Sequence, residues 1–362
     1  MKKNLLNKNE VSEEVSGEEN LKIQKDVDLS QYTTMKIGGN AKYFTIVNND
    51  SEILQSYKWS VDNKLNLFPI GGGSNTIFSN KNHEYLFILI KNKGILKTYE
   101  SDEIVNIEVN AGEDWDKLVL WSIKNKISGL ECLSGIPGNV GAGPIQNIGA
   151  YGSEIKDTLS KVKILDIESG KIFEVSNMEC DFEYRNSIFK RNLGKFIILS
   201  VSFTLSKNFK DLPIPEYKDL QLYFLGKKQK HATAEEIRNA IIEIRNKKIP
   251  QPIEIPNSGS FFKNPIIENE LAGKIARSNP EIPYFKIDDK YTKLYAGWLI
   301  EKSDLKGFNF GKIEIDSKNA LIITNPGGQG DFEDLEKAIK QIQAQVFQKF
   351  EIELEIEPNI IK

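Results

Sequence analysis

The hydrophobic and polar positions change period several times along the chain. Over 41–47 apolar and polar residues alternate, the signature of a half-buried strand. From Asp50 to Lys64 the spacing becomes helical, with Asp50 or Ser51 placed to cap the first turn. Short apolar runs at Leu67–Ile70, Leu86–Ile90 and Ile104–Val109 predict further strands. A helix is expected over Asp114–Lys124, burying Trp115, Leu118, Val119 and Ser122 and closed by a glycine turn. Strands follow at Val162–Ile167 and Lys171–Val175, joined by a Glu-Ser-Gly-Lys turn, and at Phe196–Leu205. Asp211–Pro215, with two prolines, reads as loop. Thr233–Lys247 predicts an amphipathic helix: Thr233 and Glu236 form a capping box, and Ile237, Ala240, Ile241 and Ile244 the apolar stripe. A proline-rich connector, Ile249–Asn257, leads into a mixed region. The chain then ends in a long helix, Asp331–Phe350, and a strand, Ile352–Ile361. No internal repeat is visible. The pattern implies an α+β protein with more than one core.

The length of 362 residues admits about two or three domains. With 48 basic and 51 acidic residues the net charge is -3, which argues against a general nucleic-acid binder. Arginine is scarce beside lysine, occurring at 185, 191, 238, 245 and 277. Each guanidinium is therefore informative, because its planar fork suits carboxylate or phosphate. Cys132 and Cys180 lie far apart without metal-site spacing, so two buried free thiols are expected. His83 and His231 fall in no motif and read as surface residues, and no metal cluster is visible. No apolar run approaches membrane-spanning length, and the polar N-terminus lacks a signal-peptide core. A cytoplasmic protein with a disordered leader over 1–25 is expected.

Two glycine-rich segments carry the chemistry. The first, Gly71-Gly72-Gly73-Ser74-Asn75, follows a predicted strand. Its glycines allow backbone N–H groups to converge on an anion, and Ser74 and Asn75 add donors. The second, Gly129–Gly152, holds Gly138, Gly141, Ile145, Gln146, Asn147, Gly149 and Ala150, with hardly any charge. Near-neutrality over that length suggests burial against a flat polar cofactor. Neither segment has the spacing of a dinucleotide-binding βαβ fingerprint or a P-loop, which disfavours both classes.

With these loops, the blocks Tyr32–Met35, Tyr184-Arg185-Asn186-Ser187-Ile188-Phe189-Lys190, Ser258–Pro265 and Ala296–Glu301 fall in the order seen in one family. From about Thr33 onward the chain closely resembles the UDP-N-acetylenolpyruvoylglucosamine reductases, flavoenzymes of bacterial peptidoglycan synthesis. The resemblance implies an α+β fold. In it, a two-part FAD-binding region of the vanillyl-alcohol-oxidase type (26–85 and 86–230) precedes a C-terminal α+β substrate-binding domain (231–350). A terminal strand (351–362) carries a catalytic glutamate. The Gly-Pro-Ile-Gln-Asn loop and the Tyr217 loop resemble the family's first subtype.

The resemblance further implies that NADPH, as co-substrate, reduces FAD and that hydride passes on to the enolpyruvyl β-carbon of the sugar nucleotide. The charge left at the α-carbon and its carboxylate needs a cation, a proton donor and support for the enolic form. Matching the family's motifs gives Arg185 the first role and Ser260 the second. For the third, keeping Leu354 and Glu355 in register selects Glu357. Anchoring on Pro358 would instead place Asn359 there and lose the acid, so Glu357 is preferred. Glu353, Glu355 and Glu357 could also simply alternate along the solvent face of an edge strand. Tyr184 is expected beside the flavin. Tyr217, Lys248, Asn264 and Lys293 match substrate positions, and Asn319 stands where some members carry glutamine. The expected partner is UDP-N-acetylglucosamine enolpyruvate, bound by a monomer. A flavin oxidase of the same fold and a non-catalytic UDP-sugar-binding flavoprotein are the alternatives.

Overall fold

The computed structural model describes residues 21–362. Most of the expected leader lies outside the described residues, but a strand at Gln24–Asp28 already occupies its last two positions. The described chain divides into two compact units whose segments alternate in sequence. One comprises the residues up to Val27, Ala41–Gly72 and His83–Arg245; the other comprises Asp28–Asn40, Gly73–Asn82 and Asn246–Lys362.

The first unit holds two sheets. Gln24–Asp28, Asn40–Val47, Asn82–Ile90 and Asn66–Ile70 form one, in that order, with the last two strands parallel. The second sheet is antiparallel, in the order Ile172–Ser176, Leu159–Asp166, Phe196–Ser206, Ile104–Asn110 and Ile95–Glu100. Alternating side chains such as Val105, Ile107 and Val109 enter the core, as the period-two pattern requires. The helix Asp50–Asp62 is capped by Asn49, not by Asp50 or Ser51. Asn49 has the extended backbone a cap needs, and its side chain accepts the Glu52 N–H at 2.9 Å. The helix Trp115–Lys124 buries the expected face, and Trp115 Nε1 donates to the Leu133 carbonyl at 2.8 Å. Its left-handed closing residue is Lys126 (φ 58) instead of a glycine.

In the helix Ala234–Lys248, the Glu236 N–H donates to Thr233 Oγ1 at 3.1 Å. The Glu236 carboxylate accepts the Thr233 N–H at 2.8 Å, which completes the capping box. Its apolar stripe packs with Ile214, Leu220 and Phe224. Within the expected loop at Asp211–Pro215, Leu212–Pro213 pairs with His231–Ala232. His231 is exposed, with Nδ1 2.7 Å from the Asp211 carboxylate. His83, expected at the surface, is buried against Phe87, because its strand starts at Asn82 and turns this position inward. Cys132 and Cys180 are buried free thiols.

The second unit is built on two small sheets. One has the order Asn257–Ser260, Ile322–Thr324, Glu314–Ile315; the other Ile266–Glu268, Tyr291–Leu294, Tyr284–Lys286. The helix Phe332–Phe350 is capped by Asp331 and lays Leu335, Ile339, Ile342 and Val346 into the core. Met35, Ile37 and Ile77 belong to that same core, so parts of the segment 26–85 pack with the C-terminal residues. The expected strand Ile352–Ile361 is continuous only over Asn359–Ile361, where it runs parallel to Thr76–Phe78. Pro358 has no N–H to continue a ladder, and upstream of it Ile356 makes a single bridge to Phe262. Among the described residues no helix is long and apolar enough to cross a membrane, and no group of side chains could hold a metal ion.

Candidate active site

In the first unit the strand Asn66–Ile70 delivers the chain into Gly71 and Gly72. A Cβ on Gly72 would lie 2.9 Å from Gly138 Cα and 3.1 Å from Asn139 Oδ1. The two glycine segments therefore meet backbone to backbone, with no room for a side chain. Gly141 is held equally close: a Cβ there would come within 2.6 Å of the Ala111 Cβ, and its N–H donates to the Ala111 carbonyl at 2.9 Å. The one charged residue of 129–152 is Glu131. It is buried, and its carboxylate accepts the Gly129 N–H at 2.6 Å, while burial pushes its pKa up. Main-chain walls without side chains or exposed charge fit FAD, whose flat ring and diphosphate need close backbone approach.

The remaining predicted cofactor residues follow in a tight 3-10 turn, Pro144–Gln146, and the left-handed Asn147 (φ 49). Asn147 is fully buried. Its amide donates to the Glu154 carboxylate at 2.9 Å and the Glu183 carbonyl at 3.1 Å, so its side chain serves the loop's own shape. The Ile145 carbonyl accepts Ser187 Oγ at 2.6 Å, and the Gly149 carbonyl accepts Arg185 Nη2 at 2.8 Å. The structure thus brings Arg185 and Ser187 to the Ile145–Ala150 segment, with Tyr184 next to Arg185 in the chain. Arg185 is itself left-handed (φ 53), a conformation that costs about 1–2 kcal/mol without a glycine. Its guanidinium lies 5.7 Å from the Tyr184 ring centre. Tyr217 begins the helix Lys218–Leu225 and is partly exposed, its ring edge-on to Tyr151.

Sequence reasoning missed the support beneath the second loop. Arg238 grips Asp116 with both forks, at 2.6 and 2.7 Å, and Asp116 also accepts the Gly135 N–H at 2.6 Å. Burial alone would raise the Asp116 carboxyl, but these three donors outweigh it and hold the group below its ordinary range. The scarcity of arginine was the available signal.

In the second unit Gly73 (φ 63) accepts the Thr34 N–H at 3.0 Å, and a Cβ there would collide with the Tyr32 carbonyl. The Asn75 carbonyl accepts the Asn359 N–H at 2.9 Å; Ser74 lies between these two ties. Ser260 ends a strand whose pairing with Ile322–Thr324 shifts register after Asn257, at the left-handed Gly259 (φ 74). This bulge leaves Ser260 exposed while Phe261 and Phe262 enter the core. Glu357 is buried, and its N–H donates to the Phe261 carbonyl at 2.9 Å. Glu353 and Glu355 are exposed, so Glu357 does not share a solvent face with them.

Lys248 is exposed, and its carbonyl accepts Asn319 Nδ2 at 3.4 Å, which places these two side by side. Asn264 Oδ1 accepts the Ala296 N–H at 3.0 Å and so caps the helix Ala296–Lys302. Lys293 holds its ammonium 5.2 Å from the Phe285 ring centre. Ser260, Glu357, Lys248, Asn264, Lys293 and Asn319 thus belong to this unit, and Arg185, Tyr184 and Tyr217 to the first.

A main-chain cofactor cradle in one unit, together with a second, C-terminal α+β unit, is the organisation of an FAD-binding oxidoreductase. Comparison with known families agrees: an FAD binding domain matches residues 41–176. The UDP-N-acetylenolpyruvoylglucosamine reductase C-terminal domain matches 251–361. The reductase of that name from Flavobacterium johnsoniae is 39% identical over 342 residues, covering 94% of this chain and 100% of its own. Its counterpart from Pseudomonas fluorescens is 36% identical over 340 residues, covering 94% and 99%. The crystal structure of the Thermus caldophilus reductase shares the fold, with a TM-score of 0.65 at 23% identity, covering 94% of this chain and all of the other. The chain belongs to the UDP-N-acetylenolpyruvoylglucosamine reductase family, FAD-dependent oxidoreductases of peptidoglycan precursor synthesis.

Proposed function

We propose that the protein reduces UDP-N-acetylglucosamine enolpyruvate to UDP-N-acetylmuramate with NADPH. The net change adds hydride to the β-carbon and a proton to the α-carbon of the enolpyruvyl group. Bound FAD supplies the hydride relay between the two substrates. Arg185 binds the carboxylate, over which negative charge spreads as the β-carbon is reduced; a guanidinium fork follows that charge better than a point cation. Ser260 gives its hydroxyl proton to the α-carbon. A serine is a weak acid, but it is adequate against a carbanionic acceptor when held in place. Glu357 supports the enolic form. Tyr217, Lys248 and Asn264 hold the UDP portion, and Asn319 and Lys293 complete the substrate site.

In this assignment residues 26–85 and 86–230 bind FAD, 231–350 the sugar nucleotide, and 351–362 contribute Glu357. The protein acts as a cytoplasmic monomer, which sedimentation of the purified chain tests. The observation that carries the catalytic assignment is the pairing of the buried Glu357 segment beside the outward-turned Ser260. It favours Glu357 over Asn359, because the Glu357 N–H is tied to Phe261, next to Ser260, whereas the Asn359 N–H is tied to Asn75.

Anaerobic half-reactions test the whole reading. NADPH should bleach the yellow flavin, and the enolpyruvyl sugar should then restore its colour. Reoxidation by oxygen with none by the sugar would instead indicate an oxidase.

A further inference from the structure

We propose that Tyr151, held by Arg245, is a positioning residue for Tyr217, and that affinity for the sugar nucleotide depends on the contact between the two rings. This rests on the reading of Tyr217 as a substrate residue.

Gly149–Ala150 and Ser153–Glu154 form a small hairpin, so Tyr151 and Gly152 are the two residues of its turn. Both have positive φ, 50 and 87. Such a turn favours glycine, asparagine or aspartate at both places. A tyrosine in the first place is strained, and strain of this kind is retained where the side chain has other work. The Tyr151 side chain is engaged at both ends. Its ring meets Tyr217 edge-on, with centres 4.9 Å apart and planes at 67°. Its hydroxyl lies within electrostatic reach of the Arg245 guanidinium.

Arg245 reaches that hydroxyl by passing over Gly135, with Nε 2.9 Å from where a Cβ would stand. Asp116 attracts Arg245 from a distance but is already bound by Arg238 and Gly135. With Asp116 so occupied, Arg245 is assigned the role of holding the Tyr151 ring through its hydroxyl. The same hairpin supplies the Gly149 carbonyl that holds Arg185. One turn thus carries both contacts through different groups, the Tyr151 ring for Tyr217 and the Gly149 carbonyl for Arg185.

A double-mutant cycle tests this, using Tyr151→Leu, Tyr217→Leu and the pair in the FAD-loaded protein. KM and kcat for the enolpyruvyl sugar are measured alongside the stopped-flow rate of flavin reduction by NADPH. Each single change should raise KM about tenfold, the size of an aromatic pair contact, with kcat held within about twofold. The double variant should be no worse than the poorer single one. Multiplying effects would overturn the coupling while leaving Tyr217 in the substrate site. An unchanged KM in Tyr217→Leu would overturn the substrate reading, and the coupling with it. If Tyr151→Leu fails to retain FAD, Tyr151→Phe takes its place and should raise KM about threefold through loss of the hydroxyl that faces Arg245. An unchanged KM in that variant overturns the role given to Arg245.

Discussion

The backbone N–H of Glu357 donates to the carbonyl of Phe261 at 2.9 Å, which sets the glutamate one residue along from Ser260 across an antiparallel pairing. Glu357→Gln keeps that backbone bond and nearly the same volume but removes the acid. In the proposed mechanism it should lower kcat for sugar reduction about 100-fold, the scale of an acid–base contribution. Flavin bleaching by NADPH should stay at the wild-type rate. Asn359→Ala should leave both within about twofold, because the engaged groups there are backbone. Equal turnover in wild type and Glu357→Gln would remove the glutamate from the site.

Ser260→Ala separates the two half-reactions more sharply. The side chain is exposed and the bulge that turns it outward is made by Gly259, so its loss leaves packing unchanged. NADPH should still bleach the flavin, whereas recovery of colour with the enolpyruvyl sugar should slow by about 100-fold or more. Loss of both half-reactions would mean that Ser260 serves folding.

What was legible in the chain and what was not divides along sequence distance. The Thr233–Glu236 capping box and the stripe from Ile237 to Ile244 are local, and the structure reproduces them. The glycine loops were legible because positive φ and close approach leave few alternatives to glycine. The pairing of Asn359–Ile361 with Thr76–Phe78 joins opposite ends of the chain, and no local period signals it. His83 was misplaced because the apolar run begins at Leu86, while the strand starts earlier with polar residues. Asp116 and Arg238 stand 122 positions apart, so only the rarity of arginine hinted at their pairing.

That pair yields a stability prediction. Asp116→Asn leaves the Arg238 fork without its counter-charge, and because Asp116 remains partly solvated the cost should be about 1–3 kcal/mol in urea unfolding. The wild-type carboxyl is held below its ordinary value, so the unfolded chain binds a proton first as pH falls. Its contribution is therefore full above the usual carboxylate range and is lost on acidification through the lower, folded value. The difference between wild type and Asp116→Asn should shrink at about pH 3–4. A constant difference down to that pH would show that the charge contributes nothing.

The buried thiols set a limit at the alkaline end. Burial pushes both Cys132 and Cys180 up to about 12, while a thiol in the unfolded chain ionises near about 8.5. Between those values the unfolded state has released protons that the folded state retains, so stability falls as pH rises. Each thiol should contribute about 1.4 kcal/mol of loss per pH unit across that window. Replacing both by alanine should flatten the slope by the sum of the two terms, after a fixed cost for the lost sulfur volume that does not vary with pH. Urea unfolding at intervals from neutral pH to about pH 10 measures that slope. Thiol reagents supply the independent readout. In the folded protein at pH 8 both sulfurs should react far more slowly than in urea, since the thiolate is the reacting species and burial suppresses it. Prompt labelling of either cysteine in the folded state would mean that its thiol reaches solvent, and the alkaline slope should then lack that residue's share.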